Sequence, residues 1–291
     1  MNEERRVSFR KSLESNGVVF APLALDPLAA LLAQKAGFQA SYLSGGALGF
    51  QYAVSEALLT LTEIVDVARR ITARCDLPLI VDGGVGFGDP VHVQRAVWEF
   101  ESAGAVALEL EDQVAPKRVH HHVGVEHLVD TELMCEKISA AAEARSDKNL
   151  LIIARTGANT HEGLNSAIER LNRYVDSGAD LVMAFGGNDD LKAISSSVPA
   201  PLSTIASMNR QTSDRWHDVG CSLVIDAFTS QAIMISGLKK SYEDFRNGEG
   251  SGVTIDGEAL HRELVELCGL NSLLDLETRT TEKHSITKRT D

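Results

Sequence analysis

Eight short apolar runs, with amphipathic segments between them, constrain this chain more than any other feature. The runs are Val18–Leu23, Ala40–Leu43, Leu79–Val81, Val106–Leu110, Leu150–Ala154, Leu181–Ala184, Leu202–Ile205 and Leu223–Ile225. They are β-branched or leucine-rich and nearly free of polar residues, as strands buried on both faces of a parallel sheet are. Helix patterns fill the gaps. Asp26 caps Pro27–Ala36, with proline in the first turn and Gly37 as the stop. Thr60–Cys75 opens on Thr60 with Glu63 at capping-box spacing. Pro90–Ala103, Thr131–Arg145, Glu162–Ser177 and Ser230–Asn247 continue the alternation. Eight strands, most followed by a helix, predict an α/β fold of the (β/α)8 TIM-barrel kind. A doubly wound open sheet is the alternative.

A chain of 291 residues fits one barrel or two smaller domains. No Pro/Gly/Ser-rich linker interrupts the pattern, so residues 1–255 read as one barrel domain. The stretch Asp256–Thr278 lies beyond the eighth strand as a helical extension. Its leucines suit packing on a partner subunit or folding back on its own barrel. The polar tail Arg279–Asp291 is expected to be mobile. With 28 Lys+Arg against 41 Asp+Glu the net charge is −13, which argues against a nucleic-acid or anionic-membrane surface. No apolar run approaches the ~18–20 residues of a membrane span. The N-terminal stretch MNEERRVSFRKSLESNG is charged throughout and is not a secretory signal. The four cysteines, Cys75, Cys135, Cys221 and Cys268, form no CxxC pair. A cytoplasmic protein with reduced thiols is expected.

In a barrel, functional groups gather at the C-terminal ends of strands. The second strand ends in Tyr42-Leu43-Ser44-Gly45-Gly46, whose glycines can offer bare N–H groups to an anion or can form a plain turn. The glycine-rich stretch 83–88 matches neither a dinucleotide fingerprint nor a P-loop. Asp82 and Glu111 each end an apolar strand. Buried carboxylates are costly unless paired or metal-bound. Together they can hold Mg²⁺ through oxygens and water, or one can pair with Arg155 or Lys117. Arg155, at the end of strand five, suits bidentate grip of a substrate carboxylate, with a structural ion pair as the competing account. Lys117-Arg118-Val119-His120-His121-His122 follows strand four. Three successive histidines cannot share one metal, but one can act as a general acid or base. No GxSxG elbow supports a serine triad.

Taken together, these segments resemble the isocitrate lyase / phosphoenolpyruvate mutase superfamily, and most of all its 2-methylisocitrate lyase and carboxyphosphonoenolpyruvate mutase branch. The resemblance is carried by GFQASYLSGG (37–46), LPLIVDGGVGFGDPVHVQRAVWEFESAGAVALELEDQVAPKR (77–118) and LLIIARTGA (150–158). Gly163-Leu164, Ala167 to Arg170, Tyr174 and Ser177 to Asp180 add to it. It spans most of residues 8–250. It implies a TIM barrel, a homo-oligomer (dimer or tetramer) that often exchanges its last helices, and chemistry beside an enolate held on Mg²⁺. Carried over by residue, Tyr42, Ser44, Gly45 and Gly46 match the substrate turn. Asp82 matches the direct metal ligand and Glu111 a water-mediated one. Arg155 matches the carboxylate anchor, and Lys117 the lysine that opens the catalytic loop.

The chain also departs from that pattern. Asp82-Gly83-Gly84 stands where the family has a second aspartate. The acidic residue after the substrate turn falls near Ser55, with Glu56 beside it. Val119 replaces the general-acid cysteine, Gly157 an aspartate, Phe185 a glutamate and Ile205 an asparagine. Fewer negative ligands weaken Mg²⁺ binding, and the new apolar residues make the pocket drier. Standard 2-methylisocitrate lyase and phosphonate mutase activities are therefore not expected. A lyase acting on a C–C bond next to a carboxylate of a small 2-oxo or 2-hydroxy acid fits. In it His120 or His121 would replace the cysteine, and Glu109, on the same strand face as Glu111, would be a substitute acid or ligand. A non-catalytic carboxylate-binding barrel and a specialised secondary-metabolism enzyme are the alternatives.

Overall fold

A computed structural model describes residues 2–15, 17–207, 213–250 and 256–283. The apolar runs become eight parallel strands: β1 Val19–Pro22, β2 Ser41–Leu43, β3 Leu79–Asp82, β4 Ala107–Glu111, β5 Leu151–Arg155, β6 Leu181–Met183, β7 Leu202–Ile205 and β8 Cys221–Asp226. Hydrogen bonding runs in the order β1-β8-β7-β6-β5-β4-β3-β2. A parallel bridge between Leu23 and Tyr42 joins the two ends. The result is the expected (β/α)8 barrel, not the open sheet.

Strand alternation sorts the side chains into two apolar layers. Leu108, Leu110, Ile152 and Ala154 face the surrounding helices, where Val93, Phe100, Met134 and Leu171 meet them. Tyr42, Ile80, Ala107, Leu151, Ile153, Leu181 and Ile225 point inward. The same period of two then sends Asp82, Glu109, Glu111 and Arg155 inward at the strands' C-terminal ends. Strand register levels them, with Asp82 opposite Glu109 and Glu111 opposite Arg155.

The N-terminal segment, read above only as charged, is a helix, Asn2–Glu14. Its apolar residues are sparse, which hides its amphipathic face. Phe9 and Leu13 nevertheless join the inner layer. Arg6 is buried, donating to the carbonyls of Ala105 and Glu101 and pairing with Asp147. The helix expected over 162–177 begins instead at Leu164, because Gly163 sits at φ 100° and breaks it from the short turn Ala158–His161. Elsewhere local signals hold. Thr60 and Glu63 form a reciprocal capping box on the helix Leu61–Thr72. Thr60→Ala should cost about 1 kcal/mol in urea denaturation; a loss under a few tenths would show the box to be redundant.

Chain contacts group the residues into two units, Met1–Ala232 and Ile233–Asp291. The division falls inside the helix Thr229–Arg246, earlier than the expected boundary at 255. The second unit carries the helices Gly257–Leu267 and Leu270–Arg279, parted by Gly269 in the left-handed conformation. Of the tail expected to be mobile, residues 284–291 lie outside the described residues. No described helix is long and apolar enough to cross a membrane.

Candidate active site

β3, β4 and β5 deliver four of the ionic groups of the site. Arg155 donates through Nη1 to Glu109 Oε1 at 2.8 Å and approaches Glu111 Oε2 with Nη2 at 3.4 Å. Glu109, fully buried, also accepts from the Tyr42 hydroxyl at 2.7 Å. Glu111 accepts from Gln113 Nε2 and lies 2.5 Å from Lys117 Nζ. Asp82 shares its oxygens between two loops: Oδ2 accepts from Gly45 N–H and Oδ1 from Gly84 N–H, each at 2.9 Å.

The remaining groups come from loops. Ser44 caps the short helix Gly45–Gln51 by accepting from Ala47 N–H, so the serine–glycine bend is a helix start, and one of its N–H groups already serves Asp82. Glu56 sits in a single 3-10 turn after that helix. Its carboxylate pairs with Lys117 and lies 3.1 Å from His121 Nε2. Lys117 thus bridges Glu56 and Glu111. Glu56 was noted above only as a neighbour of Ser55. The structure makes it a full member of the site.

These residues surround a cavity of about 240 Å³, bordered by Tyr42, Ser44, Glu56, Asp82, Gln113, Lys117, His121, His122, Glu126, Arg155, Ile205 and Phe228 among others. Of the candidate histidines, His121 reaches it. His120 is exposed, its ring 6.3 Å from that of His127. His122 lines the cavity and shares a hydrogen bond with Ser55. Val119 is exposed and offers no proton. Ile205 forms part of the wall, and the Phe185 ring lies 5.0 Å from the Arg155 guanidinium. A neighbouring cavity of about 330 Å³ shares Glu56, Asp82 and Lys117 but is walled by Leu59, Ile64, Val85 and Phe87.

The charges are strongly coupled. Burial pushes the Asp82 carboxyl up to about 7, with Glu109 and Glu56 adding repulsion. Burial also opposes ionisation of Glu56. The hydrogen bond from His121 and the ammonium of Lys117 outweigh it and hold Glu56 at about 2. Glu111 is likewise lowered: burial works against it, but Lys117 and Arg155 prevail. Glu56 in turn raises His121. Burial, then Asp82 and Glu109, raise the Tyr42 phenol, which therefore stays a hydrogen-bond donor.

Four carboxylates, Glu56, Asp82, Glu109 and Glu111, face two permanent cations, Lys117 and Arg155. That leaves a formal excess of two negative charges when all are ionised, and the elevated Asp82 registers the strain. A divalent cation would relieve it, and hard carboxylate oxygens suit Mg²⁺. Among the described residues no three His, Cys, Asp or Glu side chains converge as a ligand cluster. Mg²⁺ does not need one. It commonly takes one or two carboxylates and fills its shell with water and substrate. The residues present therefore fit the ion, with Asp82 foremost.

Fold and site together define an α/β barrel enzyme class in which buried carboxylates and cations converge at the strands' C-terminal ends. The family model for phosphoenolpyruvate phosphomutase matches residues 9–246, and the chain belongs to that family. It is 36% identical over 253 residues to the probable 2-methylisocitrate lyase 2 of Corynebacterium glutamicum, covering 84% of this chain and 81% of that one. It is 33% identical over 292 residues to the petal death protein of Dianthus caryophyllus, covering 94% and 89%. Among solved structures, phosphonopyruvate hydrolase in complex with oxalate and Mg²⁺ superposes with a TM-score of 0.84 at 27% identity, covering 95% of this chain and 99% of that one. Oxaloacetate acetylhydrolase with 3,3-difluorooxalacetate gives 0.86 at 26% identity, covering 96% and 98%.

Proposed function

We propose that the protein is a lyase that breaks a C–C bond next to a carboxylate of a small 2-oxo or 2-hydroxy acid. The observation that carries this reading is the convergence of Arg155, Lys117, Asp82 and the Ser44 turn on one cavity of about 240 Å³, the size of a small acid and a few waters. Relatives support the substrate class: named examples include 2-methylisocitrate lyases and a 2,3-dimethylmalate lyase.

In this reading the Arg155 guanidinium holds the substrate carboxylate, exchanging its 3.4 Å approach to Glu111 for the ligand while Glu109 keeps it oriented. Tyr42 donates its hydroxyl, at present given to Glu109, along the same inner face. Lys117 sets positive charge opposite Glu56 and Glu111 and steadies the loop that carries the histidines. Ile205 and Phe185 exclude water from one side and disfavour a tricarboxylate. Asp82 directly, and Glu111 through water, would hold Mg²⁺, whose charge stabilises developing enolate oxygen.

The test is a panel of 2-hydroxy and 2-oxo acids, followed by release of pyruvate, glyoxylate or a dicarboxylate, with Mg²⁺ and with EDTA. Turnover that EDTA removes is expected. The ion should also raise the melting temperature, more at pH 8 than at pH 5, because Asp82 ionises near 7 and only then adds its charge to the site. A folded protein that turns over no acid in the panel would end the lyase reading. Acid binding without turnover or Mg²⁺ dependence would point to a binding barrel.

A further inference from the structure

We propose that Glu126 hands the proton to carbon in this reaction, that it is seated in the cavity because residue 157 is glycine, and that its partner His161 supplies that proton. The inference rests on the lyase reading. A cleavage that leaves an electron pair beside a carboxylate needs one proton brought to that carbon by a positioned acid. Among the described residues, three carboxylates border the polar cavity: Glu56, Asp82 and Glu126. Glu56 is held by Lys117 and His121. Asp82 has given each oxygen to a backbone N–H. His121 is fixed between Glu56 and the carbonyl of Arg118, and His122 is engaged by Ser55. Glu126 has a different setting. Its ion-pair partner is His161, with Nε2 3.5 Å from Oε2, and both side chains are partly open to water, at 20% and 26% exposure.

A second observation fixes where Glu126 sits. A Cβ built on Gly157 would lie 1.8 Å from its Oε2 and 2.9 Å from its Cδ. The carboxylate therefore fills the space that any larger residue at 157 would claim, two positions beyond Arg155. The bare backbone of β5's end and an acid supplied by the loop after β4 form one fitted pair.

The step balances as follows. The substrate hydroxyl loses its proton to water in the cavity, and its oxygen becomes the carbonyl of the new 2-oxo acid. The C–C bond breaks, with its electron pair left on the carbon beside the second carboxylate. Protonated His161 passes its proton to the Glu126 carboxylate, which hands it on to that carbon. Neutral His161 then takes a proton from water, which balances the one the substrate hydroxyl gave up, so no net proton is consumed.

The test compares native protein with Glu126→Gln, Glu126→Asp and Gly157→Ala, using turnover of the acid panel and calorimetric binding of oxalate. Glutamine keeps the shape but carries no transferable proton. It should lower kcat by about 10²–10⁴ with KM within about three-fold, and it should leave oxalate binding intact. Aspartate should recover part of the loss. Gly157→Ala should mimic the glutamine variant, because its methyl evicts the carboxylate. If Glu126→Gln keeps more than a third of kcat, or Gly157→Ala is as active as native protein, the assignment is wrong while the lyase reading stands. Native protein that binds oxalate but cleaves no acid would overturn both.

Discussion

Arg155→Met is expected to abolish turnover and to cost about 3–5 kcal/mol of stability at pH 7. The side chain is largely buried and answers two buried carboxylates, Glu109 and Glu111. Methionine keeps roughly the stem's volume but leaves Glu109, itself fully buried, with only the Tyr42 hydroxyl. The cost is that of uncompensated charge rather than of a lost surface ion pair. Activity falls because, in the proposed reading, the same guanidinium would hold the substrate carboxylate. Urea melts and the acid panel read the two effects separately. A variant as stable as the native protein would mean that the Tyr42 hydroxyl alone is enough to hold Glu109.

Lys117→Met should be nearly as damaging, with a distinctive pH signature. In the native protein Glu56 is held at about 2, below the ordinary carboxylate value near 4.5. A lowered carboxyl contributes stability that is present above the unfolded value and fades as pH falls through the folded one. Removing the ammonium leaves Glu56 and Glu111 buried without it, and burial then drives both upward. The variant should lose about 3 kcal/mol near pH 8, where both must stay ionised. The deficit should still be large at pH 4, where native Glu56 remains ionised, and should fade only as pH falls toward 2, where the native carboxylate also takes up a proton. Turnover should fall about 10³-fold through loss of the positioned cation. A deficit that stays constant from pH 8 down to pH 2 would argue that the lysine's stem, not its charge, is what matters.

The barrel is readable because strands buried on both faces leave short, nearly continuous apolar runs bounded by turn residues and spaced by amphipathic helices. The inner ring was readable for a related reason. In Ala107-Leu108-Glu109-Leu110-Glu111 the alternation places both glutamates on one face, and an ionic residue closing an apolar run, as Asp82 and Arg155 do, must find a partner inside. Loop residues obey no such period. Glu56 sits in a lone turn of 3-10 helix, and its meeting with Lys117 depends on how two loops close. Glu126 is placed by an absent side chain at Gly157, a tertiary complementarity that one-dimensional spacing does not encode. His120, His121 and His122 are indistinguishable as a run, and the 3-10 turn Val119–Val123 brings His121 and His122 to the cavity while leaving His120 exposed. The N-terminal helix escaped notice because Arg6, one of its three buried residues, is charged and is satisfied by carbonyls far along the chain.

The way Asp82 divides its two oxygens has a practical consequence for anyone redesigning this protein. One oxygen clasps the segment after the second strand and the other clasps the segment after the third, so a single carboxylate acts as a hinge pin for both. Transplanting either segment alone from a relative would leave that pin gripping on one side only. Grafts intended to change what the barrel accepts should move the two as a matched set.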